Sequence, residues 1–250
     1  MQQIKAFTAP SLLRSKLHES MTNSKQPRAL LSWSSGKDSA MALYRTLAAK
    51  EYEVVGLLTT ISDEFHRVSM HGVREELLET QAQLAGFELE KVMIPYPCPN
   101  AIYEEKMRDA LVRWIRKGIS HVIFGDLFLE DIRRYREEKL AQLGLTPVFP
   151  VWGTETSALA REMLRVGFRA VITCVDTKKL EREFAGREFD ESLLADLPKS
   201  VDPCGENGEF HTFVYDGPVF KRRIPIRVGD IVNRDGFEFA DILPKDLGPT

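Results

Sequence analysis

The run Ala29-Leu30-Leu31-Ser32-Trp33 reads as a strand and passes directly into Ser34-Ser35-Gly36-Lys37-Asp38-Ser39, and a helical pattern begins where this short loop ends. A strand that turns so tightly into a helix has few folds open to it. The helix must cross over and deliver the chain to a parallel neighbour, which is a βαβ unit. Val54–Ile61 supplies that neighbour after a helix over Ser39–Ala49. Leu77, Leu78, Leu84 and Ala85 then predict a helix closed by Gly86, with a strand over Leu89–Ile94. Tyr103, Met107, Ala110, Leu111 and Trp114 recur at helical spacing, with Gly118 placed as the stop and His121–Phe124 as a buried strand. Strands alternating with helices in this way predict a parallel sheet covered by helices.

A charged helix is expected over Asp131–Leu143, followed by a short extended piece bracketed by Pro147 and Pro150. A domain boundary is placed near Leu145. Beyond it, Leu159, Met163 and Val166 mark a helix and Ala170–Val175 a strand, whereas Ile226–Val232 and Phe237–Ile242 flank Asp235-Gly236, a hairpin signal. The expected organisation is therefore a flexible tail over 1–27, an α/β domain over 28–145, a smaller α+β domain over 146–243, and a tail over 244–250.

With 43% apolar and 28% charged residues, the 250-residue chain can bury a core without disulfides or a structural metal. Its three cysteines, Cys98, Cys174 and Cys204, are far apart and form no C-x-x-C pair, which argues for a reducing, cytoplasmic compartment and against a zinc ribbon. The net charge of −3 offers no general attraction to nucleic acid, and the basic cluster Lys221-Arg222-Arg223 with Arg227 reads as a solvated face. No apolar run reaches the roughly 20 residues that span a bilayer. The first 27 residues are basic but lack the apolar stretch of a signal peptide, and both Met1 and Met21 are candidate starts.

The loop between the first strand and helix has the chemistry of an anion site. Amides of a tight turn and a first helical turn have no partners within the helix, and the helix dipole favours negative charge. Gly36 allows close backbone approach, Lys37 brings a positive charge to phosphate oxygens, Ser34 and Ser39 bring hydroxyls, and Asp38 suits a magnesium ion. A capped helix would use several of the same residues. A Walker loop is excluded, because Leu31 stands where its first glycine is needed and Asp38 where Ser or Thr must follow the lysine. A dinucleotide fingerprint is absent as well.

Three further stretches carry chemistry. Gly125-Asp126 follows the His121–Phe124 strand, at the end where ligands of open α/β sheets bind, so Asp126 is expected to face nucleotide or magnesium. His71 lies in a loop beside Gly72 on the same sheet edge and is a candidate ligand contact. From Cys204 to Phe213 the chain is glycine-rich and bears Glu206, Asn207, Glu209 and His211. It reads as a polar site loop whose glutamates and histidine manage protons, with Cys204 a nucleophile only if a neighbouring charge lowers its pKa. Trp152 is expected to pack between the domains.

The loop resembles the S-G-G-x-D-S signature of the PP-loop superfamily, with Ser35 in place of the first glycine. With Ser69-Met70-His71-Gly72, Gly125-Asp126-Leu127-Phe128-Leu129-Glu130-Asp131, Phe149-Pro150-Val151-Trp152 and the stretch from Asp202 to Phe213, the chain from about Ala29 to Leu243 resembles the diphthine–ammonia ligase-like family, in its compact bacterial-type branch. The resemblance implies an adenine nucleotide α-hydrolase-like (HUP-like) fold and ATP with Mg2+ as cofactors, cleaved to AMP and pyrophosphate. Ser34, Ser35, Gly36, Lys37, Asp38, Ser39, His71, Gly125 and Asp126 would bind nucleotide, Asp38 and Asp126 the metal, and Lys37, Asp38, Glu206, Glu209 and His211 would carry catalysis. The implied partners are ammonia or another amine donor and a carboxylate, diphthine on elongation factor 2 being the family's own. Two alternatives of another kind are a tRNA-modifying PP-loop enzyme and a sensor that holds ATP or AMP without turnover.

Overall fold

The computed structural model describes residues 26–245. The expected tails, with the candidate start Met21, lie outside the described residues apart from their innermost few. The first sheet holds β1 (Arg28–Ser32), β2 (Glu53–Ser62), the short β3 (Arg67–Val68), β4 (Glu88–Ile94), β5 (His121–Ile123) and β6 (Thr146–Val148). Its parallel strands run in the order β4-β2-β1-β5-β6, and β3 pairs antiparallel with the end of β2. The chain first winds outward from β1 to β4, then restarts at β5 on β1's other side. That reversal opens a crevice at the carboxyl ends of β1 and β5, the usual ligand position in such sheets.

Helices α1 (Lys37–Ala49), α2 (Glu75–Ala85), α3 (Asn100–Arg116) and α4 (Glu130–Ala141) cover the sheet. Alternation along β1 explains how both faces are buried. Leu31 packs with Met41, Leu43, Leu77 and Leu78 of α1 and α2, while Leu30 packs with Ala110, Leu111, Trp114 and Leu140 of α3 and α4. Gly86 closes α2 at φ 83°, the left-handed turn that glycine adopts without steric penalty.

The second region begins with α5 (Thr156–Arg165), whose first turn is capped by the Glu155 carboxylate on the amides of Ser157 (2.9 Å) and Ala158 (2.7 Å). It continues through β7 (Arg169–Asp176), a 3-10 turn (Arg182–Phe184), α6 (Glu191–Asp196), β8 (Phe210–Asp216), β9 (Ile226–Arg234) and β10 (Phe237–Pro244). These strands form an antiparallel sheet in the order β8-β7-β10-β9. Asp235 and Gly236 turn the expected hairpin with φ of 52° and 85°.

One expectation needs correction. The polar stretch ending at Phe213 is not a loop throughout, because from Phe210 onward it is strand β8, whose edge lies on the Ser34–Ser39 loop, called the phosphate loop for the anion chemistry expected of it: Val214 N–H donates to Ser35 C=O (3.0 Å). Trp33, Phe210, Phe213 and Val214 accordingly belong to one continuous core shared by the two regions.

Candidate active site

A cleft of about 400 Å³ opens at the crevice between β1 and β5, within the ~300–1,000 Å³ usual for small-molecule sites. The loop after β1, the Ser69–His71 loop, Gly125 and Asp126 after β5, and Glu206, His211 and Thr212 from the second region all line it. Residues far apart in sequence meet here because the second sheet packs its β8 edge across the first sheet's open end.

The phosphate loop is held from several sides. Ser34 and Ser39 hydroxyls lie 3.1 Å apart, and Ala40 N–H makes the first helical bond, to Gly36 C=O (3.1 Å). The amides of Asp38 and Ser39 therefore precede the helix ladder and have no carbonyl partner within the helix. Gly36 is closely packed: a Cβ there would stand 3.0 Å from the His71 ring and 3.2 Å from the Thr212 carbonyl, so a side chain would press both back by a few tenths of an ångström. A Cβ on Gly125 would stand 2.8 Å from the Asp38 backbone, so the loop after β5 also touches the start of α1. Ser35 takes φ 68°, the left-handed conformation that explains why the related signature has glycine here. Its hydroxyl is buried without a partner.

Gln81, which sequence reasoning missed, holds this strained turn. Fully buried on α2, it donates to Ser35 C=O (3.0 Å) and Val214 C=O (2.6 Å) and accepts from Trp33 Nε1 (2.9 Å). The available signal was a polar residue on the apolar Leu77–Leu78–Leu84 face of a helix. Thr212, also overlooked, accepts from Lys37 N–H through its hydroxyl (3.1 Å) and from His71 Nδ1 through its carbonyl (3.2 Å).

The charged groups are coupled. Lys37 is buried, and its ammonium donates to Asp38 Oδ2 (2.9 Å) and to the Cys204 carbonyl. Burial alone would lower its pKa, but the adjacent Asp38 carboxylate and, behind it, Cys204 and Glu206 together outweigh this and raise it. Burial likewise raises the Asp38 pKa, against the pull of Lys37. Glu206 accepts from the Leu127 amide (2.7 Å), and burial, reinforced by Asp38 and Asp126, pushes its carboxyl up to about 7. A carboxyl poised there exchanges protons readily at neutral pH.

His71 and His211 lie ring to ring, with centroids 4.5 Å apart. Burial, with the positive Lys37 nearby, lowers His71 to about 4 despite its bond to Thr212, and lowers His211 as well, so both imidazoles are neutral. His211 therefore shares the phosphate-loop cleft instead of sitting in a separate substrate loop. Asp126 is held by Arg136 in a two-pronged pair (2.7 and 3.0 Å), and the Arg136 guanidinium stacks over Phe124 at 4.2 Å. Glu209 stands apart from the cleft: its Oε1 accepts from the Asp202 amide and the Asn207 side chain (both 3.1 Å), fixing the turn instead of facing a ligand. Cys204 does not meet the condition set for a nucleophile, a pKa lowered by a neighbouring charge. Burial drives its thiol pKa well up despite the neighbouring Lys37, and Sγ points to the Thr156 carbonyl (3.4 Å). Trp152 is half-buried, with the Arg133 guanidinium stacked on it at 4.7 Å.

The chemistry of these donors fits one magnesium contact. Asp38 Oδ1 is buried and has no hydrogen-bond partner, the kind of oxygen a hard cation takes. Asp126, the other expected ligand, is instead engaged by Arg136. Among the described residues, no group of three or more His, Cys, Asp or Glu side chains is arranged to hold an ion by itself. A cation here would need further oxygens from a ligand.

The diphthamide synthase N-terminal domain matches residues 27–147 and the diphthamide synthase C-terminal domain residues 155–242. The diphthine–ammonia ligase of Rattus norvegicus is 25% identical over 232 residues, covering 84% of this chain and 86% of that protein. That of Bos taurus is 32% identical over 120 residues, covering 46% and 45%. The aligned stretch thus spans about half the length of the bovine relative. A solved U34-tRNA thiolase, NcsA from Methanococcus maripaludis with its 4Fe-4S cluster, aligns over 62% of each chain at 18% identity and a TM-score of 0.36, too loose a likeness to support tRNA thiolation. The chain belongs to the diphthamide synthase family, its parallel α/β part matching the N-terminal domain and the smaller antiparallel part the C-terminal domain.

Proposed function

We propose that this protein is an ATP-dependent, amide-forming ligase that activates a carboxylate as its adenylate and then exchanges AMP for ammonia. The observation that carries this reading is the single cleft in which the free amides of the phosphate loop, the unpartnered Asp38 oxygen and the poised Glu206 face one another. We read 28–145, together with strand β6 (Thr146–Val148), which completes the same sheet, as the ATP-binding part, and the chain from there to 243 as the part that supplies the substrate side of the cleft.

In the first step a substrate carboxylate oxygen attacks the α-phosphorus of ATP, and the bond to the β-phosphate oxygen breaks. The departing pyrophosphate is received by the Asp38 and Ser39 amides, the Ser34 and Ser39 hydroxyls and the positive end of α1. Asp38 would hold magnesium, which offsets charge on the phosphates. In the second step the ammonia nitrogen attacks the acyl carbon and AMP leaves with its electron pair. Nitrogen must then lose a proton, and Glu206, as carboxylate, accepts it. The neutral His71 and His211 rings line the cleft without adding positive charge that would repel an ammonium ion. The family match favours neither the tRNA-modifying nor the sensor alternative.

Diphthine on elongation factor 2 is the carboxylate we favour, because curated relatives are named diphthine–ammonia ligases. Among the described residues no helix is long and apolar enough to cross a membrane. Incubating the protein with Mg-ATP, heavy-nitrogen ammonium and diphthine-bearing elongation factor 2 should place the label in the factor. ATP consumed with no label incorporated would reject diphthine as the acceptor.

A further inference from the structure

We propose that Lys37 is a positioning residue that ties the phosphate loop to the Cys204–Glu206 turn, and that it does not hold the phosphates. This inference rests on the ATP reading of the cleft above. Within a loop of this kind a lysine is expected to reach for phosphate, but both nitrogens of Lys37 point to the second region. Its backbone N–H donates to the Thr212 hydroxyl on β8 (3.1 Å). Its ammonium donates to the Cys204 carbonyl and to Asp38 Oδ2 (2.9 Å), with the Phe189 and Phe210 rings at 5.6 and 5.2 Å.

The residue is only 2% exposed. Turning its ammonium toward a ligand would strip a buried carbonyl and a carboxylate of their donor at once, and each orphaned group carries a desolvation cost. Two aromatic faces would lose their cation as well.

The tie closes a circuit. From Cys204 the chain runs through Gly205, pressed so close to Phe210 that a Cβ would lie 2.7 Å from its carbonyl oxygen, to Glu206. Glu206 then grips the Leu127 amide, and Gly125 just before it abuts the Asp38 backbone. Lys37 thus fixes, through the turn, where Glu206 stands relative to the phosphates. Asp38 is positioned by the same ammonium.

The test compares the full-length protein with Lys37→Met, which keeps the apolar stem and removes the charge. Two readouts need no acyl substrate: affinity for metal-free ATP by calorimetry, which leaves out the magnesium contact expected at Asp38, and amide hydrogen exchange of the Gly205–Gly208 turn. The tie predicts an ATP Kd within about threefold of the parent and turn exchange faster by about tenfold or more. A phosphate ligand predicts the opposite, an affinity loss of roughly ten- to a hundredfold with the turn unchanged. Lys37→Gln, which retains a donor for the Cys204 carbonyl, should restore part of the protection, and it replaces the Met variant in both measurements should that variant fail to fold. An affinity loss of about tenfold or more in a folded variant overturns the proposal, and so does a turn whose exchange does not change. Failure of the ligase reading would appear instead as a parent protein that binds Mg-ATP yet never forms AMP.

Discussion

Gln81→Leu should be among the most damaging single substitutions outside the cleft. The fully buried amide makes three hydrogen bonds, to Ser35, Val214 and Trp33. Leucine fills a similar volume and replaces none of them. Ser35 C=O keeps the Val214 amide as a donor (3.0 Å), but the Trp33 indole N–H, on a side chain 1% exposed, loses its acceptor. One orphaned buried donor costs about 1–3 kcal/mol and each of the two other lost bonds about 0.5–1.5 kcal/mol, so a total of roughly 2–6 kcal/mol is expected. For a chain of this length that lowers Tm by roughly 4–24 °C. Because the lost bond to Ser35 also steadies the left-handed turn, Mg-ATP affinity should fall in parallel. Urea unfolding of the parent, Gln81→Leu, Trp33→Phe and the double variant measures the coupling. Trp33→Phe removes the stranded donor, so the Gln81→Leu penalty should shrink by about 1 kcal/mol or more in that background. A penalty below about 1 kcal/mol, or one equally large in both backgrounds, would refute the reasoning.

Ser35→Gly should stabilise the protein, because it relieves a left-handed φ and deletes an unpartnered buried hydroxyl; a rise in Tm of roughly 2–4 °C is expected, and a fall in a thermal scan contradicts it. The rate of AMP formation should rise with pH through about 7 as Glu206 ionises, and Glu206→Gln should abolish that limb and slow turnover by roughly 10²–10⁴-fold in a steady-state pH profile. His71, held near 4 against an ordinary imidazole value of about 6.5, binds fewer protons folded than unfolded. Its contribution is complete above 6.5 and is lost as pH falls toward 4, so urea midpoints should drop across that window less steeply for His71→Asn than for the parent.

What could be read from the sequence was local. The strand, Ser34–Ser39 loop and helix are consecutive, so their geometry follows from neighbouring residues alone, and the parallel order of the first sheet follows from crossover length. Strand β8 was hidden because His211 and Thr212 are polar for the cleft while Phe210 and Phe213 enter the core, so neither alternation nor an apolar run announces it. The role of Lys37 was hidden for a related reason. Its partner is a backbone carbonyl 167 positions away, and a carbonyl has no sequence signature. Asp126 and Glu209 show the same limit, since acidic residues at a strand end or in a glycine turn look alike whether they meet a ligand, an arginine or a neighbouring amide. Gln81 alone left a trace, as a polar residue on a helix face otherwise given to leucine and alanine.

The position of bond cleavage in ATP separates this account from others most directly. ATP labelled in its terminal phosphate, incubated with the full-length protein, magnesium, ammonium and a diphthine-bearing acceptor, should yield labelled pyrophosphate and AMP in equal amounts, as the proposal that the loop amides, hydroxyls and helix end receive a departing pyrophosphate requires. Labelled orthophosphate with ADP, formed while pyrophosphate is absent from the earliest time points, would contradict it.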